Sequence, residues 1–188
     1  MSEALYTAVS GVVAQERALE VAANNLANAS TTGFKGDRVH FKEVLFRNMQ
    51  NVPNVTERQV IAEKVVTDFS QGVVLETGNT LDVALLDRGF FALNTPEGER
   101  YTRNGVFTVS ADGYLSTIDG HQVLGASGPL AVGGSHEVQI TDTGALIADG
   151  KLAGKLKVVD FQDPQVLERA GYNMWKVPPE VAPENIEK

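Results

Sequence analysis

Leu5, Ala8, Val12, Gln15, Leu19, Ala22 and Leu26 recur at alternating spacings of three and four. That is the a/d seam of an amphipathic helix sustained over about three heptads. Polar or small residues, among them Glu3, Glu16, Arg17 and Glu20, fill the remaining positions. A stripe this narrow is suited to packing against another helix, often one from another chain. Asn24, Asn25 and Asn28 are poor helix-interior residues, because their amides compete for backbone hydrogen bonds. Gly33 offers a natural stop in the left-handed conformation. The pair Asn25 and Asn28 is read either as a fraying helix end or as a polar helix–helix contact that sets register.

Beyond the helix the texture changes twice. Residues 36–71 carry charge and no clean period. Phe41, Leu45, Phe46 and Met49 are spaced to line one side of a short helix, which Asn51-Val52-Pro53-Asn54 would break. Ile61 to Phe69 alternates loosely and is expected to be extended. This segment is read as a linker with partial structure. From Gly72 to Phe161, short apolar runs alternate with turn signals, which predicts seven to ten short strands in a sandwich or open barrel. Thr95-Pro96-Glu97-Gly98, Asn104-Gly105, Asp112-Gly113, Asp119-Gly120 and Asp149-Gly150 are the expected turns. The fold class is therefore α+β, predominantly β. Its expected divisions are a helix and its end (1–35), a linker (36–71), a β-rich outer domain (72–161), and a return segment with a proline-rich tail (162–188).

Composition narrows the function classes. A net charge of -8 argues against a nucleic-acid surface. No run of about 18 apolar residues offers a membrane span. The first residues lack the basic and apolar regions of a cleaved signal peptide. The chain has no cysteine, which removes disulfides and thiolate metal sites.

Candidate chemistry is sparse. Asp142-Thr143-Gly144 copies the loop of aspartic proteases, in which two aspartates share a proton. Here it occurs once and reads better as a hairpin turn. His40, His121 and His136 have no ligand spacing. Asp112, Asp119 and Asp149 precede glycines in turns without forming a calcium loop. Gly133-Gly134 lacks the phosphate-loop context. Tyr101, Phe107 and Tyr114 are expected to be core aromatics rather than a stacking platform for bases. No catalytic residue, metal site or cofactor is expected.

Three ordered blocks carry a resemblance. The first is Tyr6 to Gly11 followed by Ala22 to Lys35. The second is Thr77-Gly78-Asn79-Thr80-Leu81-Asp82-Val83-Ala84, running on to Gly89-Phe90-Phe91-Ala92-Leu93. The third is Gly98 to Phe107 followed by Ala111-Asp112-Gly113-Tyr114-Leu115. With Lys155 to Trp175, these resemble the bacterial flagellar rod and hook proteins over nearly the whole chain. Length and the run Val158-Val159-Asp160-Phe161 are most similar to the proximal rod branch, with the distal rod branch next.

The resemblance implies a structural subunit of the flagellar basal-body rod, not an enzyme. It implies polymerisation through the terminal helix into a shaft that transmits torque to hook and filament. The implied partners are copies of the chain, neighbouring rod proteins, and ring and export components. The implied route is type III export without a cleaved signal, to a basal body spanning the periplasm. The expected subunit contacts are Leu5, Val12, Leu19, Asn24, Asn25, Leu26 and Asn28. Two other readings stay open: a β-rich binding module with a helical oligomerisation handle, and an aspartic-type hydrolase. Leu86-Asp87-Arg88 departs from the family pattern. So does the end of the chain, where Val177 to Pro183 favours an extended tail in place of the amphipathic C-terminal helix of such proteins. Truncation before that helix is the expected explanation, with supply of the partner helix by neighbours as the alternative.

Overall fold

A computed structural model describes residues 2–47 and 56–185, and the side chains of 8–42 and 64–184. The chain forms two compact units. One holds the residues up to Thr31 and Lys35–Ser70, and the other holds Thr32–Phe34 and the residues from Gln71 onward.

The first unit is one helix, α1 (Ser2–Ala27), against one antiparallel hairpin, β1 (Asp37–Arg47) and β2 (Thr56–Thr67). The helix ends earlier than the position of Gly33 implies. Asn28 N–H donates to the Asn24 carbonyl at 3.2 Å, and the Asn28 side-chain amide donates to the same oxygen at 2.9 Å. Ala29 and Thr31 then turn the chain through bonds to Leu26 and Asn28. These bonds satisfy the orphan carbonyls of a helix end, so no glycine cap is required.

The short helix expected across Phe41 to Met49 is absent up to Arg47, where the chain is strand β1; Met49 and the Asn51–Asn54 break lie outside the described residues. The register runs Asp37↔Thr67 and Val39↔Val65, then slips between His40 and Phe41, so that Phe41 faces Ala62 and the extra residue, Glu63, lies on β2. The reason for the helix-like spacing is in the sequence of β1 itself: adjacent Leu45 and Phe46 break strict apolar alternation. The extended reading holds for Ile61–Thr67.

The second unit is predominantly β. A ten-stranded open sheet runs in the order β13–β14–β4–β3–β7–β6–β5, with β12, β15 and β8 attached at its sides. Its strands are β3 (Phe90–Thr95), β4 (Gly98–Thr102), β5 (Phe107–Val109), β6 (Leu115–Thr117), β7 (Gln122–Gly125), β8 (Gly128–Pro129), β12 (Val158–Asp160), β13 (Glu168–Arg169), β14 (Met174–Lys176) and β15 (Glu184–Asn185). A separate three-stranded sheet holds β9 (Val138–Ile140), β10 (Ala145–Ala148) and β11 (Lys151–Lys155), in the order β11–β10–β9. Ten strands thus fall between residues 72 and 161, and neither sheet closes into a barrel.

Strand β3 is the spine. Phe90, Phe91, Ala92 and Leu93 are all buried, so both faces of the strand are covered. On one side Phe91 meets Phe107 edge-on and joins Leu93, Leu115, Val123, Leu130, Leu146 and Leu156. On the other, the Phe161 ring stands edge-on to both Phe90 and Tyr101. Burial, with the Glu99 carboxylate nearby, raises the Tyr101 hydroxyl far above its ordinary value. Tyr101 and Phe107 are therefore core aromatics as expected, while Tyr114 is only half-buried.

Four of the five expected turns form. Gly98, Gly113 and Gly120 take positive φ at hairpin tips, and Asp149 and Gly150 do so together between β10 and β11. Asn104-Gly105 does not make a hairpin, because β4 pairs with β14 and β3 while β5 pairs with β6. Instead Gly105 lets two backbones meet. Its carbonyl accepts from Val83 N–H at 2.9 Å, and a Cβ there would lie 1.8 Å from the Val83 oxygen.

The Asp149 carboxylate accepts backbone N–H bonds from His136 and Glu137, both at 3.0 Å, which tie the approach to β9 onto the β10–β11 turn. Those donors, Glu137 first, hold its carboxyl below the usual value. A carboxyl depressed in the folded state stabilises folding above its unfolded value of about 4, and loses that contribution as pH falls through the folded value. Replacing Asp149 by Asn removes the charge and keeps tolerance of the left-handed turn. Thermal melts should show Asp149→Asn less stable than the parent at pH 7. The gap should shrink to nothing as pH drops well below about 4.

Candidate assembly interface

Helix α1 has two faces of opposite kind. Ala14 is buried, and Ser10, Ala18, Val21, Asn25 and Asn28 are half-buried. Their spacings of four, four, three, four and three put them on one side, turned to the hairpin. Small side chains there let the helix backbone approach the strands closely. The opposite side carries the large apolar residues into solvent. Val12 is 66% exposed, Leu19 63% and Leu26 78%, with Val9 and Val13 beside them.

The expected contact residues therefore divide. Val12, Leu19 and Leu26 share the outward stripe. The side chain of Leu5 lies outside the described residues. Asn24, Asn25 and Asn28 act within their own chain. Asn24 offers its carbonyl to Asn28, as above. The Asn25 amide donates from Nδ2 to the Asp37 carbonyl at 2.8 Å and accepts from the Asp37 N–H at 2.9 Å. Here the asparagine copies a backbone strand pair.

Around that pair the hairpin base is laced by residues that sequence reasoning missed. Thr67 donates its hydroxyl to the Asp37 carboxylate at 2.7 Å, and Asp68 N–H donates to the Gly36 carbonyl at 2.8 Å. Lys35 is buried, and its ammonium donates to the Ser70 carbonyl at 2.7 Å. Arg38 pairs with the Asp68 carboxylate, which also accepts from Ser70 N–H. The Ser70 bonds, aided by Arg38 and Lys35, hold the Asp68 carboxyl below its ordinary range. The available signal was a buried-type pattern of charge around Gly36, which composition alone does not separate from a solvated loop.

Within the second unit, Thr32-Gly33-Phe34 is clipped to the sheet. Thr32 offers its carbonyl to the Asn173 side-chain amide at 2.9 Å. Gly33 has φ of 71°, and a Cβ there would fall 2.5 Å from backbone atoms of Arg103 and Asn104. The Arg169 guanidinium sits over the Phe34 ring at 5.2 Å and over Trp175 at 4.6 Å. Arg103 lies over Phe90 at 5.0 Å and donates to the Asp87 carbonyl at 2.7 Å. Its burial lowers the guanidinium's proton affinity, against the opposing pull of Asp160 and Asp87. Arg88 donates to the Phe161 carbonyl at 3.0 Å and pairs with Asp160 at 3.3 Å. The unusual Leu86-Asp87-Arg88 is thus an anchored loop.

The other sequence candidates fall into plain structural positions. Asp142 is exposed in the β9–β10 turn, where Gly144 has φ of 72° and donates to the Thr141 carbonyl. His40 and His136 are exposed, and His121 stands edge-on to Tyr172. Among the described residues no group of three or more His, Cys, Asp or Glu is placed to hold a metal ion. No described helix is long and apolar enough to cross a membrane.

Residues 5–35 match the family described as flagella basal body rod protein, and residues 84–148 match the flagellar hook protein FlgE/F/G D1 domain. The chain is 34% identical to the flagellar basal-body rod protein FlgG of Agrobacterium fabrum, over 94% of this chain and 74% of the relative. It is 30% identical to FlgF of Caulobacter vibrioides, over 99% and 77%. It is 38% identical to FlgF of Escherichia coli, over 79% and 58%.

Two substitutions separate the lacing from the clip. Asn25→Ala removes both bonds to Asp37 and leaves that backbone short of partners. It should cost roughly 1–3 kcal/mol in the first unit. Asn25→Asp should be no better, since a carboxylate cannot donate to the Asp37 carbonyl. Hydrogen exchange at Asp37 and Asp68 reads the loss. Gly33→Ala combines a left-handed φ with a backbone clash and should cost about 2 kcal/mol or more. Its signature is earlier loss of the Trp175 near-ultraviolet signal on heating, and a parental melt for Gly33→Ala would refute the clip.

Proposed function

Because this chain belongs to the flagellar basal-body rod protein family, we propose that it is a subunit that polymerises through α1 into a torque-transmitting shaft. Membership implies a structural component of the flagellar basal body. The finer reading rests on one observation: the outward stripe of α1 leaves Val12, Leu19 and Leu26 largely exposed, with no partner in their own chain among the described residues. Burying each such side chain fully is worth about 1.5–3 kcal/mol. Several side chains per subunit give a contact that still needs many copies for rigidity.

In this reading residues 1–35 form the inner layer, with Leu5, Val12, Leu19 and Leu26 in the contacts. Asn24, Asn25 and Asn28 hold the helix end in the posture the contact requires. Residues 36–71 bridge neighbouring subunits, residues 72–161 form the outer layer, and 162–188 return along it. A helical shaft grows from heterologous, non-closing contacts. The partners are copies of this chain and adjacent rod proteins, with ring and export components at the ends. No cofactor enters, and the work is mechanical rather than catalytic. Passage through the flagellar type III apparatus, without a cleaved signal, delivers the subunit to a rod crossing the periplasm.

The test uses positions that are exposed in the folded chain. Leu19→Asp with Leu26→Asp should leave the melt of the second unit unchanged while abolishing rod assembly and motility. Survival of motility and of isolated basal bodies in that double variant would overturn the reading.

A further inference from the structure

We propose that Gly72–Glu76 of one copy adds as a short antiparallel strand to the free edge of β11 in the next copy. The inference rests on the polymer reading above and assigns it a second, outer contact. Val73 is 90% exposed and Leu75 79%. Among the described residues, Gly72–Glu76 makes no backbone hydrogen bond. A run of Val-Val-Leu with unused N–H and C=O groups is suited to strand addition.

The acceptor follows from inspecting each sheet edge of the second unit. The outer edge of β9 is taken by Thr80, whose carbonyl accepts from Ile140 N–H at 3.0 Å and whose hydroxyl donates to the Val138 carbonyl at 2.9 Å. The edge beside β5 is covered by Asp82, which bridges Val106, and by the Val83–Gly105 bond. Strands β8, β13 and β15 are two residues each. That leaves β11, where Lys151–Ala153 are exposed and Leu152 is 69% exposed.

Charge and shape select the register. Antiparallel pairing with Glu76 opposite Lys151 puts Leu75 opposite Leu152, one opposite-charge pair beside one apolar pair. The irregularity between Leu152 and Gly154 limits the addition to this end of β11. Polarity is also right for growth. The donor leads directly into Thr80 on the β9 edge, whereas the acceptor is the opposite edge of the same three-stranded sheet. Donor and acceptor on opposite edges make a head-to-tail contact that propagates rather than closing on a pair.

The cysteine-free chain allows a direct test on the full-length protein. Directly opposed strand residues have Cα atoms about 4.5–5.5 Å apart, within disulfide reach. Single variants Leu75→Cys and Leu152→Cys are mixed under associating conditions and oxidised, so that no crosslink can form within one chain. The expected result is a 75–152 linked dimer, confirmed by mass spectrometry, in clear excess over the dimers either variant forms alone. Adding Glu76→Lys should lower that yield by roughly threefold, and Glu76→Lys with Lys151→Glu should restore it. Parity of the mixed and single-variant dimers, while association still depends on Leu19 and Leu26, overturns the strand contact and leaves the helix reading standing. Absence of any Leu19- and Leu26-dependent association overturns both.

Discussion

One amide sets the geometry of the first unit. The Asn25 side chain occupies both backbone polar groups of Asp37, so the last turns of α1 and the first residue of β1 are held as if they were paired strands. Everything nearby builds on that fixed point. Asp37 holds Thr67 across the hairpin, Gly36 holds Asp68, and buried Lys35 holds Ser70. Buried polar groups in a small structure are costly unless satisfied. The network satisfies them and fixes which side of the helix meets the strands. Once that side is fixed, the other side must face outward, and its valines and leucines are left exposed.

How far this was legible depends on contrast. The outward stripe was readable because leucine and valine at three-four spacing stand out against polar neighbours. The inward face was not, because Ser10, Ala14 and Ala18 carry little hydropathy of their own and pack through their smallness. Asp-Gly turns could be placed because a positive φ narrows the choice of residues. Asn104-Gly105 shows the limit of that inference. The same dipeptide served close backbone approach to Val83, a contact separated by more than twenty residues that no local pattern encodes. The β1 strand was hidden because adjacent Leu45 and Phe46 break the alternation that marks a strand.

The long-range pairings were the least accessible. β12 joins β3, β14 joins β4, and β15 joins β12, so the last part of the chain completes the sheet begun at Phe90. Arg169 between Phe34 and Trp175, and Asn173 on Thr32, depend on the same late strands. The tail was read as extended over Val177 to Pro183, but it turns where Val181 N–H donates to the Pro178 carbonyl; that Glu184 and Asn185 then pair with β12 could be seen only in the fold.

The outward stripe of α1 also bears on how the free subunit behaves as a colloid. A chain with that much apolar surface is adhesive, yet it carries a net charge of -8. Like-charged subunits repel over a screening length of about 10 Å at 0.1 M salt, and over only about 3 Å at 1 M. Short-range stickiness beneath longer-range repulsion is the profile of a particle with a barrier to nucleation. Ionic strength then acts as a throttle: dilute salt keeps single subunits apart, while concentrated salt lets their apolar surfaces meet.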